Sequence, residues 1–509
     1  MFDMSRQIRE KECERSVRLW PFFVFPPTLL LGLCWLLSAL YYREAKKDFE
    51  ACRAELAAIG ESLNIEDLRP EVLDPERNVA AAPIFAELLA ELRADPHLDF
   101  KEHPVFGALR EEAIQGYVSP TLQLPEKRTE TVTLLRGLAL HEYYPDHGEM
   151  EAARAILDHG LVHRESLAEI AAAVRRPEAN FGIRYEDGFA ASLHHLNLIL
   201  ELGKFLKAHS RASLVVGDPA TAAADVSTLL RLSDHLRAEP SLISCLFSIS
   251  TYELALSVIH EGLASSTWRE ADEVVLAAEL SDPEWWPAFA DSLRMERATF
   301  VDFCQQTIAG DRKQENVTVT TWAPYLFKAF PLLQKAWLCD SAANYSRLMQ
   351  EQISLVAANE SGQWDTPAWE RLKGTLEEMS EHPLRKIRFH LVTSIPASFA
   401  IHRRPARSHT HGNLARLALA LAQVRRSTGA YPAKLEECFP FLAGDVPRDL
   451  FTGQSLIYRP LPDDDYLLYS VGENGLDDGG LLKKRPEHGD WVWRLRLPAD
   501  FDHDAYRAP

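Results

Sequence analysis

The chain has 509 residues, 46% hydrophobic and 25% charged, which excludes wholesale disorder, a collagen-like repeat and a polytopic membrane protein. Lys and Arg total 55 against 74 Asp and Glu, a net charge of −19, so nonspecific nucleic-acid binding is not expected. The seven cysteines (Cys13, Cys34, Cys52, Cys245, Cys304, Cys339 and Cys438) contain no CxxC pair, which excludes a zinc ribbon or a thioredoxin-type motif. Buried, unpaired thiols are the expectation. A disulfide among the five beyond the first apolar segment stays open if that part is extracytoplasmic.

Residues 1–18 read as a cytoplasmic N-terminus and Leu19–Tyr42 as a transmembrane anchor. That segment carries no charge and as a helix spans about 36 Å, against roughly 30 Å of hydrocarbon. Trp20, Tyr41 and Tyr42 stand at its ends, where interfacial aromatics belong. Pro21, Pro26 and Pro27 favour a kinked helix or one that begins near Pro26. A cleaved signal peptide competes, but Ser38-Ala39-Leu40 is a poor cleavage site, and Leu33 before Cys34 is not a lipobox. A buried core helix is the third reading. Arg6, Arg9, Lys11, Arg15 and Arg18 precede the span, and Arg43, Lys46, Lys47 and Arg53 follow it. The balance leans toward a cytoplasmic N-terminus, a single-pass inner-membrane protein and a large periplasmic C-terminal part.

Residues 43–400 read as an α-helical domain. In 191–209, Leu196, Ile199, Gly203 and Leu206 form one helical stripe, widened by Leu198, Leu202 and Phe205. Asp218 and Pro219 are the N-cap and first turn of a second helix, which Glu239-Pro240 ends before a third apolar helix. Helix, short break, helix is the grammar of antiparallel hairpins, including tetratricopeptide-like arrays, although no strict 34-residue period is present. Among the histidines, His141, His147, His159, His163, His194 and His195, there is no HExxH. His159 and His163 share a helix face and are read as structural rather than metal-binding. There is also no GxGxxG after a strand, no P-loop and no GxSxG elbow.

Residues 401–412 read as a basic, solvated linker, with His409 and His411 in it. Residues 413–509 read as a small α+β antiparallel module. A helix stops at Gly429, Tyr431-Pro432 follows, and three strands are predicted at 455–461, 465–471 and 491–497. Pro462-Asp463-Asp464 is a hairpin turn. Trp491, Trp493, Leu495 and Leu497 alternate onto one face of the last strand. Between the second and third strands lies a glycine-rich acidic loop. Its candidate calcium ligands are Asn474, Asp477, Asp478 and Asp490, hard oxygens whose mutual repulsion a cation would relieve. An acidic turn with capping aspartates is the alternative.

The run from the helix and YP of residues 416–432 through Asp449-Leu450-Phe451-Thr452-Gly453, the LYS-x-G strand end and the acidic loop resembles the C-terminal part of type II secretion major pseudopilins. That resemblance implies a structural calcium held by Asp477, Asp478 and Asp490, with the Leu476 carbonyl and Asn474. The whole chain is similar to large membrane-anchored bacterial proteins that end in such a tail. The expected fold is therefore mainly α, with one N-terminal transmembrane helix and a small C-terminal α+β module. The expected function is non-enzymatic: a membrane-anchored envelope protein whose helical body binds a protein partner. The alternatives are a secretion-system component and an enzyme built around residues such as Glu142, His141 and His195.

Overall fold

The computed structural model describes residues 3–94, 149–280, 285–310, 323–360, 364–381, 401–462, 464–481 and 489–495. In chain order the longer helices are α1 (Asp3–Ala58), α2 (Pro83–Ala94), α3 (Glu149–Val162), α4 (Arg164–Ala173), α5 (His194–Val216), α6 (Pro219–Arg237), α7 (Leu242–Ala264), α8 (Glu270–Glu279), α9 (Trp285–Ala309), α10 (Ala323–Ala329), α11 (Pro331–Glu360), α12 (Thr366–Glu381) and α13 (Arg403–Thr428). The strands are β1 (Ile457–Leu461), β2 (Asp465–Ser470) and β3 (Trp491–Arg494). The protein is thus mostly helical, with one small antiparallel sheet of order β1-β2-β3.

Two compact units share these elements. The smaller takes residues 1–64, 297–350 and 376–395; the larger takes 65–296, 351–375 and 396–509.

In the smaller unit α11 runs parallel to α1. Phe330, just before α11, meets Trp35 at a ring distance of 5.9 Å. About four to five turns further along, the Cys52 thiol donates to the Ala343 carbonyl at 3.6 Å, and Arg347 clamps both oxygens of Asp48 at 2.8 and 2.9 Å. α9 runs antiparallel to α11: Phe300 stacks on Tyr345 at 4.1 Å, and Arg297 binds Gln350 and, at 2.6 Å, Glu61. Phe49, Cys52 and Leu56 of α1 are buried in this packing. α1 begins at Asp3 rather than near Pro26. A proline removes one helical hydrogen bond, but its fixed φ is itself helical.

In the larger unit, the predicted stripe of α5 is buried, and α6 carries the expected cap: the Asp218 carboxylate accepts from Thr221 N at 3.3 Å and from its hydroxyl at 2.6 Å. α5 and α6 pair antiparallel. α6 and α7 do the same, with the Ser233 and Ser248 hydroxyls 3.1 Å apart. Gly203 lets α5 approach α7, since a Cβ there would stand 3.2 Å from Leu254 Cδ1. Among the described residues α7 is the one helix long and apolar enough to cross a membrane by length and composition, yet 72% of its apolar window is buried, as in a core helix.

The linker expected at 401–412 is instead the start of α13, and Ala406, Ser408, Thr410 and His411 are buried there. The arginines and histidines read as a solvated run, but most of the segment turns inward, with Ser408, His411 and Gly412 set against α7. The tail is consequently not a module apart, because it belongs to the same compact unit as the α5–α7 array. His260 Nε2 of α7 donates to the Arg494 carbonyl of β3 at 2.8 Å, and the ring packs edge-on to Trp493. The strands fall where alternation places them. Trp491, Trp493 and Leu495 are buried, while Val492 and Arg494 are half-buried. Gly429 caps α13 in the left-handed region at φ 87°.

Candidate functional site

The acidic loop is held by its own hydrogen bonds. Leaving β2, Gly472 and Gly475 adopt positive φ, which gives the chain its reversal. Asn474 accepts from Leu476 N at 3.1 Å through Oδ1 and donates to Asp478 Oδ2 at 3.2 Å. Asp477 Oδ1 accepts from the Tyr469 hydroxyl and from Gly479 N, both at 2.8 Å. Its other oxygen is 3.6 Å from Arg459. Asp490, delivered just before β3, is buried. Its two oxygens accept from Asp478 N at 3.3 Å and Gly480 N at 2.7 Å.

The fold thus brings Asn474, Asp478 and Asp490 together, with Asp477 at the edge, turned toward β2. The Leu476 side chain is exposed. Burial pushes the Asp490 carboxyl above its usual value, and the Asp478 and Asp477 charges add to this against the two backbone N–H groups. Asp477 moves the other way, held down by the Gly479 N–H and the Tyr469 hydroxyl. No group of three or more His, Cys, Asp or Glu positioned to hold a metal occurs among the described residues. The carboxylates point mainly at backbone N–H groups, so a cation would have to share oxygens already in use.

The turn before β1 contributes a residue that the motif reading did not single out. Asp449 is buried and accepts from Phe451 N at 2.8 Å, Thr452 N at 3.2 Å and Val471 N at 3.0 Å. One carboxylate therefore ties the turn to the end of β2, where the acidic loop begins.

Among the described residues, three histidine–carboxylate pairs lie in the helical part of the larger unit. His195 Nε2 is 3.1 Å from Glu239, and both are buried. His209 Nδ1 is 2.7 Å from Asp225, whose carboxyl burial raises. His411 Nδ1 is 3.3 Å from each oxygen of Glu253, which also accepts from Ser408 at 2.8 Å. Burial alone would raise Glu253, but His411, Arg407 and Ser408 outweigh it and hold the carboxyl below its usual value. For His209, burial opposes the charged form and Asp225 overcomes it, raising the imidazole. His141 and Glu142 lie outside the described residues, so the enzyme reading retains His195, which is committed to Glu239. The His159 and His163 rings face each other at 5.1 Å, and His159 also packs on Phe205. The cysteines described are all free. Burial pushes the Cys245 and Cys438 thiols up to about 12, which leaves them unreactive at neutral pH.

Comparison with known proteins returns no family model, no curated protein and no solved structure that matches this chain.

Proposed function

We propose that this chain is a single-pass, membrane-anchored protein of the bacterial envelope, and that its helical body binds a protein partner rather than catalysing a reaction. The observation that carries the reading is the surface of α1. Leu29, Leu30, Leu31, Leu33, Leu36, Leu37 and Leu40 are all exposed, as is Trp35. These positions cover most of the helix circumference and leave only the face of Cys34 and Ser38 turned inward. A helix apolar on most sides and largely uncovered by protein suits lipid, not water. Five basic residues before the span against four after it favour a cytoplasmic N-terminus and a periplasmic body. The consecutive antiparallel hairpins of α5, α6 and α7 favour a tetratricopeptide-like array, an architecture suited to docking a partner.

The test is fractionation of the full chain against a form lacking residues 1–42. The full chain should stay with membranes through alkaline extraction, and the truncated form should be released. In spheroplasts, external protease should degrade the body. Extraction of the full chain at alkaline pH would remove the anchor reading.

Calcium enters the proposal as a stiffening ligand of the acidic loop, supported by the meeting of Asn474, Asp478 and Asp490. Thermal unfolding of the full chain in calcium, magnesium or chelator tests it. A midpoint raised by calcium alone is expected, and no shift would reduce the loop to a self-capped turn. A type II secretion-related role is the second reading, favoured by the Asp449 turn preceding an antiparallel sheet with an acidic loop. N-terminal processing seen by mass spectrometry would support it.

A further inference from the structure

The anchor reading places a second element at the membrane. Because α11 runs parallel to α1 and α9 antiparallel to it, the end of α9 and the start of α11 share one level of the smaller unit. The Trp35–Phe330 contact fixes that level. Trp35 is seven residues before Tyr42, about 10 Å along a helix. Phe330 therefore lies about 10 Å inside the charge-free segment, measured from its C-terminal end. An element lying in the bilayer interface buries its apolar face about 5–10 Å into the headgroup and acyl boundary, which is the same depth.

The local sequence is built for such a position. α10 folds back on α11 through Phe327, which packs on Trp337 at 5.4 Å and is buried. That contact leaves Leu326, Phe330, Leu332 and Leu333 only half-buried. Lys328 is exposed and Lys335 is half-buried, so both ammonium groups can reach phosphates while their stems lie along apolar surface.

We infer that the elbow formed by α10 and the first turn of α11 inserts into the lipid interface beside α1, as a second, monotopic membrane contact. Its occupant is the headgroup and upper acyl region of a phospholipid leaflet. The inference rests on the anchor reading, which sets the bilayer plane. Its consequence is that the smaller unit is held flat against the leaflet at two points rather than suspended on one helix.

Depth-dependent quenching in the full-length protein tests this. Cys13 and Cys34 are replaced by serine; the other five cysteines are buried. A single cysteine replaces Leu40, Leu332 or Ala57, an exposed residue near the end of α1 in the same unit and about 22 Å beyond Tyr42, carries an environment-sensitive fluorophore, and is reconstituted in liposomes of phosphatidylcholine and phosphatidylglycerol. Doxyl-labelled lipid should quench positions 40 and 332 at least about twofold more than position 57, and aqueous iodide should do the reverse. Quenching by lipid at 40 but by iodide at 332 overturns the elbow and leaves the anchor standing. Protection of 332 from both quenchers means that protein covers it, which also overturns the elbow. Absence of lipid quenching at 40 removes both readings. Because Leu332→Cys could disturb the elbow, Lys328→Cys on its exposed side is measured in parallel and should report the headgroup depth.

Discussion

Glu253→Leu removes the acceptor at the centre of the α7–α13 contact. His411, with both Glu253 oxygens at 3.3 Å, and Ser408 at 2.8 Å lose it together. Both Glu253 and His411 are nearly inaccessible, at 6% and 4%, so water cannot replace it. Breaking a buried pair from one side costs about 3–5 kcal/mol. The larger unit holds about 370 residues, and at about 2.1 cal/mol/K per residue its unfolding entropy is near 0.8 kcal/mol/K. The midpoint should therefore fall by about 4–6 °C. The pH sign follows from the carboxyl's lowered value. Its stabilisation is present above the value of the unfolded chain and is lost as pH falls through the folded value, so the variant's acid limb should be flatter than the wild type's. Differential scanning calorimetry of Glu253→Leu, His411→Leu and the double variant reads the coupling. The double variant should recover most of the loss, because no uncompensated partner remains. Additive losses, or a midpoint unchanged in Glu253→Leu, would refute a coupled pair.

Asp449→Ala leaves three backbone N–H groups without their acceptor and should cost about 2–5 kcal/mol. Faster hydrogen exchange at 451, 452 and 471 is the check. With chelator present, Asp490's raised carboxyl means that stability falls as pH rises through its ionisation. Calcium should remove that decline, as followed by tryptophan fluorescence, and an unchanged profile would count against a bound cation. Gly412→Ala drives a methyl into the Tyr252 hydroxyl and should cost about 1–3 kcal/mol, measured by chemical denaturation. Val275→Ala, on the exposed face of α8, should change stability by no more than about 0.5 kcal/mol.

Helix periodicity and caps carried much of the local structure. The Leu196–Leu206 stripe, the Asp218-Pro219 start and the Gly429 stop are all signals confined to at most about three turns of chain. Alternation likewise placed β3 correctly, because one face of that strand packs inward. The 401–412 segment escaped because its burial depends on Glu253, more than 150 residues earlier. Charge on its own reads as solvation unless the partner is known. The composition of the acidic loop was visible, but not the commitment of its carboxylates to backbone N–H groups, which depends on Gly472 and Gly475 bending the chain. Asp449 passed as part of a turn motif, although its second oxygen reaches Val471 across 22 residues. The sharing of the chain between two units was also hidden, since no composition break marks residues 64 or 297.

That sharing has a temporal consequence. The C-terminal half of α1 is made early, but the next chain segment of the unit in which Phe49, Cys52 and Leu56 are buried begins at residue 297. With about 230 residues between them and synthesis at about 5–20 residues per second, α1 waits on the order of 10–50 s for its neighbours. During that interval an apolar, half-finished surface stands without the partners that cover it in the folded chain. Whatever shields it acts before those partners exist. Ribosome stalling between residues 65 and 296 should therefore leave nascent chains unusually sensitive to aggregation.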